Sequence, residues 1–123
     1  MIDVPVARLL GFELIRHDER EAEVRMPARA DFAQEYGVVH GGILTALADT
    51  ACVYLTLPRL TDAERMTSIE LKVNFLEAAR PGAGELRAVA RLIRGGKRIV
   101  VCESTVFQNE RAILVGLFTY LRS

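Results

Sequence analysis

The chain has 123 residues, and its 16 basic side chains are balanced by 16 acidic ones. A nucleic-acid-binding protein normally has an excess of basic residues, so this balance argues against a nucleic-acid partner. Half of the residues are hydrophobic, which is a high share for the single small domain that we expect over residues 1–123. Because a small domain has little interior, self-association is expected to cover part of this apolar surface.

Two cysteines, Cys52 and Cys102, do not have the spacing of a metal-binding or redox motif. We expect both to be packed as free thiols in a reducing compartment, and we expect no metal or redox cofactor. The N-terminus lacks a basic segment followed by a long apolar one, and no apolar run reaches the roughly 18 residues of a membrane span. These features predict a cytoplasmic protein without a membrane partner.

The N-terminal part of the chain predicts a short helix and then a β-hairpin. Asp3 is a candidate cap for the helix, Pro5 suits its first turn, and Gly11 ends it. Apolar and polar residues alternate in Phe12–His17 and in Glu21–Pro27, which is the pattern of two antiparallel strands.

A loop from Ala28 to Val39 leads into a helix that is apolar on nearly every side between Ile43 and Leu57. A helix with this pattern is a buried helix. Gly41 and Gly42 permit a tight turn into it, and Pro58 ends it.

Asp49 is the only formally charged residue between Glu35 and Arg59. A carboxylate in the middle of a buried helix costs several kcal/mol unless other groups compensate for it, so its presence needs a physical reason. One explanation is a structural acid that is hydrogen-bonded to neighbouring groups. The other is a functional carboxylate that acts as a general base or as a nucleophile.

The N-terminus of the same helix favours the functional explanation. Free N–H groups at a helix N-terminus bind an anion or a developing oxyanion, and glycines such as Gly41 let a ligand approach the backbone. This position disfavours a protonated imidazole, so we interpret His40 as an orienting or structural residue and not as the base. A carbonyl-polarising helix end and the Asp49 carboxylate together predict an acyl-transfer site.

Gly41 and Asp49 are separated by about 12 Å along the helix. A base or nucleophile must lie within about 3 Å of the reacting group, so one copy of the helix cannot supply both parts of one site. Two antiparallel copies related by a two-fold axis can do so. The spacing therefore predicts a homodimer, or a tetramer built from two dimers, with composite sites.

Four strands are predicted after the helix. They are Thr67–Phe75, Glu85–Arg94, Lys97–Gln108 and Arg111–Leu121. The later strands carry apolar residues on both faces, so we expect another subunit to cover part of the outer face. This order of elements predicts an α+β fold in which a curled antiparallel sheet surrounds one long helix.

The motif His40-Gly41-Gly42, followed by Ala48-Asp49-Thr50, resembles the signature of hotdog-fold acyl-CoA thioesterases of the phenylacetate-pathway (PaaI-like) group. The resemblance covers nearly the whole chain and includes the stretch Thr67–Glu77, TSIELKVNFLE. It implies the hotdog fold, active sites at a dimer interface, and an acyl-CoA substrate.

The resemblance also implies roles for individual residues. The acidic residue of the family corresponds to Asp49, and its carbonyl-polarising amide corresponds to Gly41. Gln34 matches an Asn or Gln that, together with His40, positions the carbonyl or the water. Thr67 matches a Ser or Thr that supports the acid or the water.

Basic residues surround the predicted turn at Gly95 and Gly96. Arg94, Lys97 and Arg98 either form a solvated hairpin tip or contact the phosphates of coenzyme A, since the chain has no GxxxxGK loop. Together with Gly42 they make up the predicted substrate-binding set.

We therefore expect an acyl-CoA thioesterase for an aryl or medium-chain acyl group. Two other classes are a non-catalytic acyl-CoA-binding or regulatory hotdog protein and a hotdog hydratase or dehydratase. The first would need an appended DNA-binding segment or a lost acid, and the second a different arrangement of His and acid. The sequence alone does not distinguish a nucleophile from a general base at Asp49.

Overall fold

The computed structural model describes residues 3–123, and its elements follow the predicted order. The helices are α1 (Pro5–Leu10) and α2 (Gly41–Thr56), with 3₁₀ turns at Ala30–Phe32 and Leu57–Arg59. The strands are β1 (Glu13–His17), β2 (Glu21–Met26), β3 (Met66–Phe75), β4 (Leu86–Gly95), β5 (Ile99–Gln108) and β6 (Arg111–Arg122).

All six strands join in one antiparallel sheet with the order β1-β2-β4-β5-β6-β3. The sheet curls around α2, which packs against β2, β4, β5 and β6. One long helix surrounded by a curled antiparallel sheet is the hotdog fold, so the predicted fold class is confirmed.

The core lies between α2 and the concave face of the sheet. Alternate residues of β2, β4, β5 and β6 point inward, as period-two patterning predicts. Small side chains such as Ala48 and Ala51 on the helix, and Ala88 and Ala90 on β4, are fully buried and let helix and sheet approach closely. Cys52 and Cys102 are both buried free thiols in this core, as predicted.

One side of α2 is not covered by its own chain. Leu44, Leu47, Ala51 and Leu55 face the sheet and are buried. A second set, at spacings of three or four residues, stays partly exposed and forms one stripe along the helix: Gly42, Ala46, Asp49 and Val53. The prediction that α2 is buried on every side, Asp49 included, is therefore wrong within one chain, because the sheet curls around only part of its circumference.

Edge strand β3 also exposes apolar side chains beside α2. Leu71 and Phe75 pair across the ladder with Phe118 and Leu114, which are buried on the helix-facing side of the sheet. Directly opposite residues share a face, so Leu71 and Phe75 point to the same side. They are nevertheless 42% and 55% exposed, because no other part of the described residues covers this edge.

The predicted cap of α1 is wrong by one residue. Val4 is the N-cap, and the Asp3 side chain pairs instead with Arg8 on the exposed surface. Pro5 occupies the first helical position, so the residue before it must be extended and takes the capping place. Gly11 ends the helix in the left-handed conformation, with φ of 78°, as expected for a helix C-terminus.

The continuous helical stretch Gly41–Arg59 is long and apolar enough to cross a membrane, judged by length and composition only. Its 18-residue window has a mean hydropathy of 1.2, and 50% of that window is buried inside the fold. A core helix meets the same criterion, so the stretch is weak evidence for a membrane span.

Candidate active site

His40 shapes the N-terminus of α2. It is the N-cap residue, and its Nδ1 accepts a hydrogen bond from the Gly42 N–H at 2.8 Å. A Cβ at Gly42 would lie 2.9 Å from the imidazole ring, so a larger residue there would displace the cap. Because Nδ1 is an acceptor, the neutral ring carries its proton on Nε2. This contact agrees with the structural role expected for His40.

The Gly41 N–H is the free donor at this helix end. It has no hydrogen-bond partner among residues 3–123, whereas the Gly42 N–H is occupied by His40. The ring of Phe75 lies over Gly41, at 3.0 Å from the position that a Cβ would take. An unpaired N–H at the positive end of a 16-residue helix suits the oxygen of a polarised carbonyl.

Gln34 uses one end of its amide to hold its own loop. Its Oε1 accepts from the Tyr36 N–H at 2.6 Å and from the Val38 N–H at 3.4 Å. The loop is closed further by the Gln34 N–H, which donates to the Val38 carbonyl at 2.8 Å. The Nε2 group has no partner within the described part of the chain, so it remains a donor for a carbonyl or a water.

Asp49 is held by a residue that the sequence analysis did not identify. Tyr120, on β6, donates its hydroxyl proton to Asp49 Oδ1 at 2.6 Å. Oδ2 has no hydrogen-bond partner among residues 3–123, and the carboxyl group is half-buried. Asp49 therefore has one anchored oxygen and one available oxygen.

The environment of Tyr120 keeps its phenol protonated. Tyr120 is 1% exposed, and burial is the main cause that raises the pKa of its hydroxyl well above the usual value near 10. The nearby carboxylate of Asp49, which accepts the hydrogen bond from the phenol, raises this pKa further. Burial also raises the pKa of the Cys52 thiol, so that neighbour is neutral.

The pairing of β3 with β6 places the two candidate hydroxyls on opposite faces of the sheet. Thr67 lies opposite Leu121, and Ser68 lies opposite Tyr120. Because Tyr120 faces α2, Ser68 is on the helix side and Thr67 on the outer side. Met66, two residues before Ser68, contacts a threonine of α2 through its sulfur, which agrees with this orientation. The register therefore favours Ser68 over the predicted Thr67 as the hydroxyl near the acid.

The basic residues of the β4–β5 turn are unpaired and solvent-exposed. Arg94, Lys97 and Arg98 form no ion pair with any carboxylate of residues 3–123. The guanidinium of Arg59 packs on this turn, where a Cβ at Gly95 would lie 2.8 Å from Nη2. A cavity of about 640 Å³ opens beside Arg59. Arg59 and Arg122 line this cavity together with the acids Asp18 and Glu19, whereas Arg94, Lys97 and Arg98 do not line it.

This basic end is remote from Gly41 within one chain. Arg59 follows the C-terminal end of α2, whereas Gly41 begins the helix, and the 16 residues of α2 span about 24 Å. The structure thus separates the predicted carbonyl-binding and phosphate-binding groups of a single copy. Within the described residues, no three His, Cys, Asp or Glu side chains are close enough to hold a metal ion.

Fold and site together define a hotdog protein with an oxyanion-type helix end and an anchored carboxylate. The sequence model of the thioesterase superfamily matches residues 36–115, and the chain belongs to that family. It is 25% identical over 105 residues to the 1,4-dihydroxy-2-naphthoyl-CoA hydrolase of Listeria monocytogenes, covering 85% of this chain and 84% of that protein.

Solved structures agree with this assignment. A thioesterase of Haemophilus influenzae is 26% identical with a TM-score of 0.87, over 96% of this chain and 82% of that one. A phenylacetic acid degradation-related protein of Ralstonia eutropha is 28% identical with a TM-score of 0.90, over 98% and 92%. The resemblance to PaaI-like thioesterases is confirmed, and the chain is a thioester hydrolase.

Proposed function

We propose that this protein is a cytoplasmic acyl-CoA thioesterase that hydrolyses an aryl- or medium-chain acyl-CoA without a metal or redox cofactor. The observation that carries the proposal is the pairing, on one helix, of a free N–H at Gly41 with a carboxylate at Asp49 that has one available oxygen. Membership of the thioesterase superfamily and similarity to a CoA-thioester hydrolase support it.

The thioester carbonyl oxygen accepts a hydrogen bond from the Gly41 N–H. As the carbonyl carbon becomes tetrahedral, negative charge grows on this oxygen, and the N–H and the helix dipole stabilise that charge more than they stabilise the substrate. Gln34 Nε2 and His40 Nε2–H are donors that can position the carbonyl or the water. Gly42 contributes by allowing the His40 cap that leaves Gly41 as the free donor.

Asp49 delivers the attack through Oδ2. As a general base it takes a proton from water as the hydroxide adds to the carbonyl carbon. The C–S bond then breaks, and Asp49 passes its proton to the departing coenzyme A thiolate. As a nucleophile it attacks the carbonyl carbon, the C–S bond breaks to release the coenzyme A thiolate, and water then hydrolyses the acyl-aspartate anhydride. Both routes need an ionised carboxylate with one unoccupied oxygen.

The carboxylate comes from the partner chain in this proposal, because about 12 Å of helix separates Gly41 from Asp49. The partly exposed stripe of α2 and the apolar residues Leu71 and Phe75 of β3 are the surface that a second copy would cover. An antiparallel pair of α2 helices across a two-fold axis makes two equivalent sites.

The same pairing brings the basic end of one chain towards the Gly41 end of its partner. The phosphates of coenzyme A would then contact Arg94, Lys97 and Arg98, with Arg59 beside them. Their lack of carboxylate partners among the described residues supports this role, since unpaired cations are free to bind phosphate.

Neutralising one of these cations, for example Arg98→Gln, should raise KM for acyl-CoA about three- to tenfold and leave kcat nearly unchanged. A remote binding group acts only on substrates that contain its partner, so a truncated thioester without the nucleotide should show no effect. The measurement is steady-state kinetics with both substrates.

Arg111→Gln is the matched control for this charge change. Arg111 is exposed and starts β6, at the opposite end of β5 from the β4–β5 turn. Its KM should remain that of the unchanged protein. If Arg98→Gln, Lys97→Gln and Arg94→Gln all keep the KM of the unchanged protein, the cluster is a solvated hairpin tip that does not bind coenzyme A.

Ser68→Ala should lower kcat about three- to tenfold, which corresponds to one hydrogen bond. Thr67→Ala should have less than a twofold effect, because the register places Thr67 on the outer face. Each variant removes one exposed hydroxyl from the same strand, so each is the control for the other. A loss of kcat confined to Thr67→Ala would support the original assignment.

A panel of aryl-, hydroxyaryl- and aliphatic acyl-CoAs, assayed by release of free thiol, tests the proposed function directly. Turnover of at least one class well above the Asp49→Asn background is expected. Tight binding of acyl-CoA without thiol release would favour the non-catalytic binding protein instead.

A further inference from the structure

The hydrogen bond between Tyr120 and Asp49 joins two elements far apart in the sequence. It links the last strand to the middle of α2 across 71 positions and is short, at 2.6 Å. A hydroxyl donor to an ionised carboxylate gives a hydrogen bond of this length and of more than average strength. None of the motif residues carried over from the thioesterase family includes this tyrosine.

We propose that Tyr120 is the positioning residue for the catalytic carboxylate, holding Asp49 Oδ1 so that Oδ2 faces the water or the thioester. This inference rests on the proposed function, since it assigns Asp49 the attack. Tyr120 does not touch substrate. It acts by fixing which oxygen of the carboxyl group is presented.

Tyr120 is the one side chain among residues 3–123 that donates to the Asp49 carboxyl group. Thr45 and Thr56, the threonines one turn before and two turns after Asp49 on α2, donate to backbone carbonyls of their own helix at 2.8 Å. Asp49 accepts no hydrogen bond from a side chain other than Tyr120 among residues 3–123. The terminal torsion of an aspartate is broad, so an unanchored carboxyl group would rotate freely between orientations.

The burial of Tyr120 keeps its hydroxyl protonated, so the hydroxyl remains a hydrogen-bond donor to Asp49. The phenol extends from β6 to α2, with Asp49 and Cys52 on the helix and Cys102 on β5 as its titratable neighbours. Burial is the main cause that keeps the pKa of the hydroxyl raised, so it donates a proton throughout the working range of an enzyme. A phenylalanine ring would fill the same space, so packing alone does not account for the 2.6 Å hydrogen bond from the hydroxyl to Asp49.

Tyr120→Phe tests the role, because it keeps the ring and removes the hydroxyl. We expect kcat to fall about tenfold with KM changed by less than twofold, since binding does not depend on the orientation of the carboxylate. Tyr54→Phe is the matched control, because Tyr54 is also a buried tyrosine, 8% exposed, and its hydroxyl makes no hydrogen bond within the described chain. It should leave both constants unchanged.

A double-mutant cycle separates positioning from general packing. In an Asp49→Ala background, adding Tyr120→Phe should cause no further loss of residual kcat, because the group to be positioned is gone. The same cycle on the free energy of unfolding measures the contact without any assay of activity. Coupling between the two positions is expected in both cycles.

The outcomes distinguish failure of this inference from failure of the proposed function. If the unchanged protein hydrolyses no acyl-CoA, the proposed function is wrong. If it is active and folded Tyr120→Phe keeps kcat within twofold, or Tyr54→Phe loses as much, the positioning role is wrong. If Tyr120→Phe does not fold, Tyr120→Met, which fills the space with a flexible side chain, takes its place in the same comparison.

Discussion

Asp49→Asn should lower kcat by roughly 10²-fold or more and leave the fold intact. The amide has the shape of the carboxylate, and its oxygen can still accept the hydrogen bond from the Tyr120 hydroxyl. It is neutral, however, and neither takes a proton from water nor attacks a thioester. The measurement is kcat with the best acyl-CoA of the panel, alongside the melting temperature and oligomeric state.

Asp62→Asn is the matched control for this experiment, because Asp62 is an exposed acid in the connection between α2 and β3. It should keep full activity. A folded Asp49→Asn variant with near-normal kcat would make Asp49 a structural acid, and the mechanism built on it would be wrong. An equally large loss in Asp62→Asn would point to a general effect of the substitution.

The sequence was sufficient for the fold because its strongest signals are local. The apolar stretch of α2, the alternation in β3, and the turn residues between strands each predict one element, and their order leaves few ways to pack them. The structure has these elements with boundaries close to those expected. Val4 was missed as a cap because Asp is a favoured N-cap residue and Val is not.

The face assignments were harder because they depend on register and on what covers each surface. β3 carries an irregularity between Ser68 and Glu70. Strict alternation counted back from Leu71 puts Thr67 on the helix side. The irregularity shifts the pairing by one residue, so Ser68 lies there instead. The apolar pattern of α2 predicted complete burial, whereas the chain itself leaves one stripe of the helix partly exposed. An apolar pattern indicates that a helix face is buried, but it does not show whether the same chain or a second copy covers that face.

Tyr120 illustrates what local patterns cannot supply. Its inward position follows from the alternation of β6, in which Leu114, Phe118 and Tyr120 are buried. A hydroxyl on an inward-facing side chain needs a partner, and that signal was present in the sequence. That this partner is Asp49 depends on how β6 packs across α2. The residues next to Tyr120 in the sequence do not determine that packing, because the two positions are 71 residues apart.

Gly41→Pro is the variant that removes the carbonyl-binding donor, because proline has no N–H. Gly41 is the first residue of α2, where proline is tolerated, and His40 has the extended conformation that a residue before proline requires, with ψ of 132°. The exposed ring of Phe75 must shift to admit the new side chain. Gly41→Ala adds a Cβ but keeps the N–H, so it separates this steric effect from loss of the donor.

Mixed dimers of Asp49→Asn and Gly41→Pro should recover activity if each site takes Gly41 from one chain and Asp49 from the other. In such a dimer both defects fall in one site and the other site is intact. Random pairing makes about half of the dimers mixed, so activity should return to about one quarter of that of the unchanged protein. The two chains are co-expressed or refolded together, after each parent is shown to be folded and dimeric. Well-folded mixed dimers without activity would mean that Asp49 and Gly41 act within one chain, and the 12 Å estimate from helix geometry would no longer describe how the substrate binds.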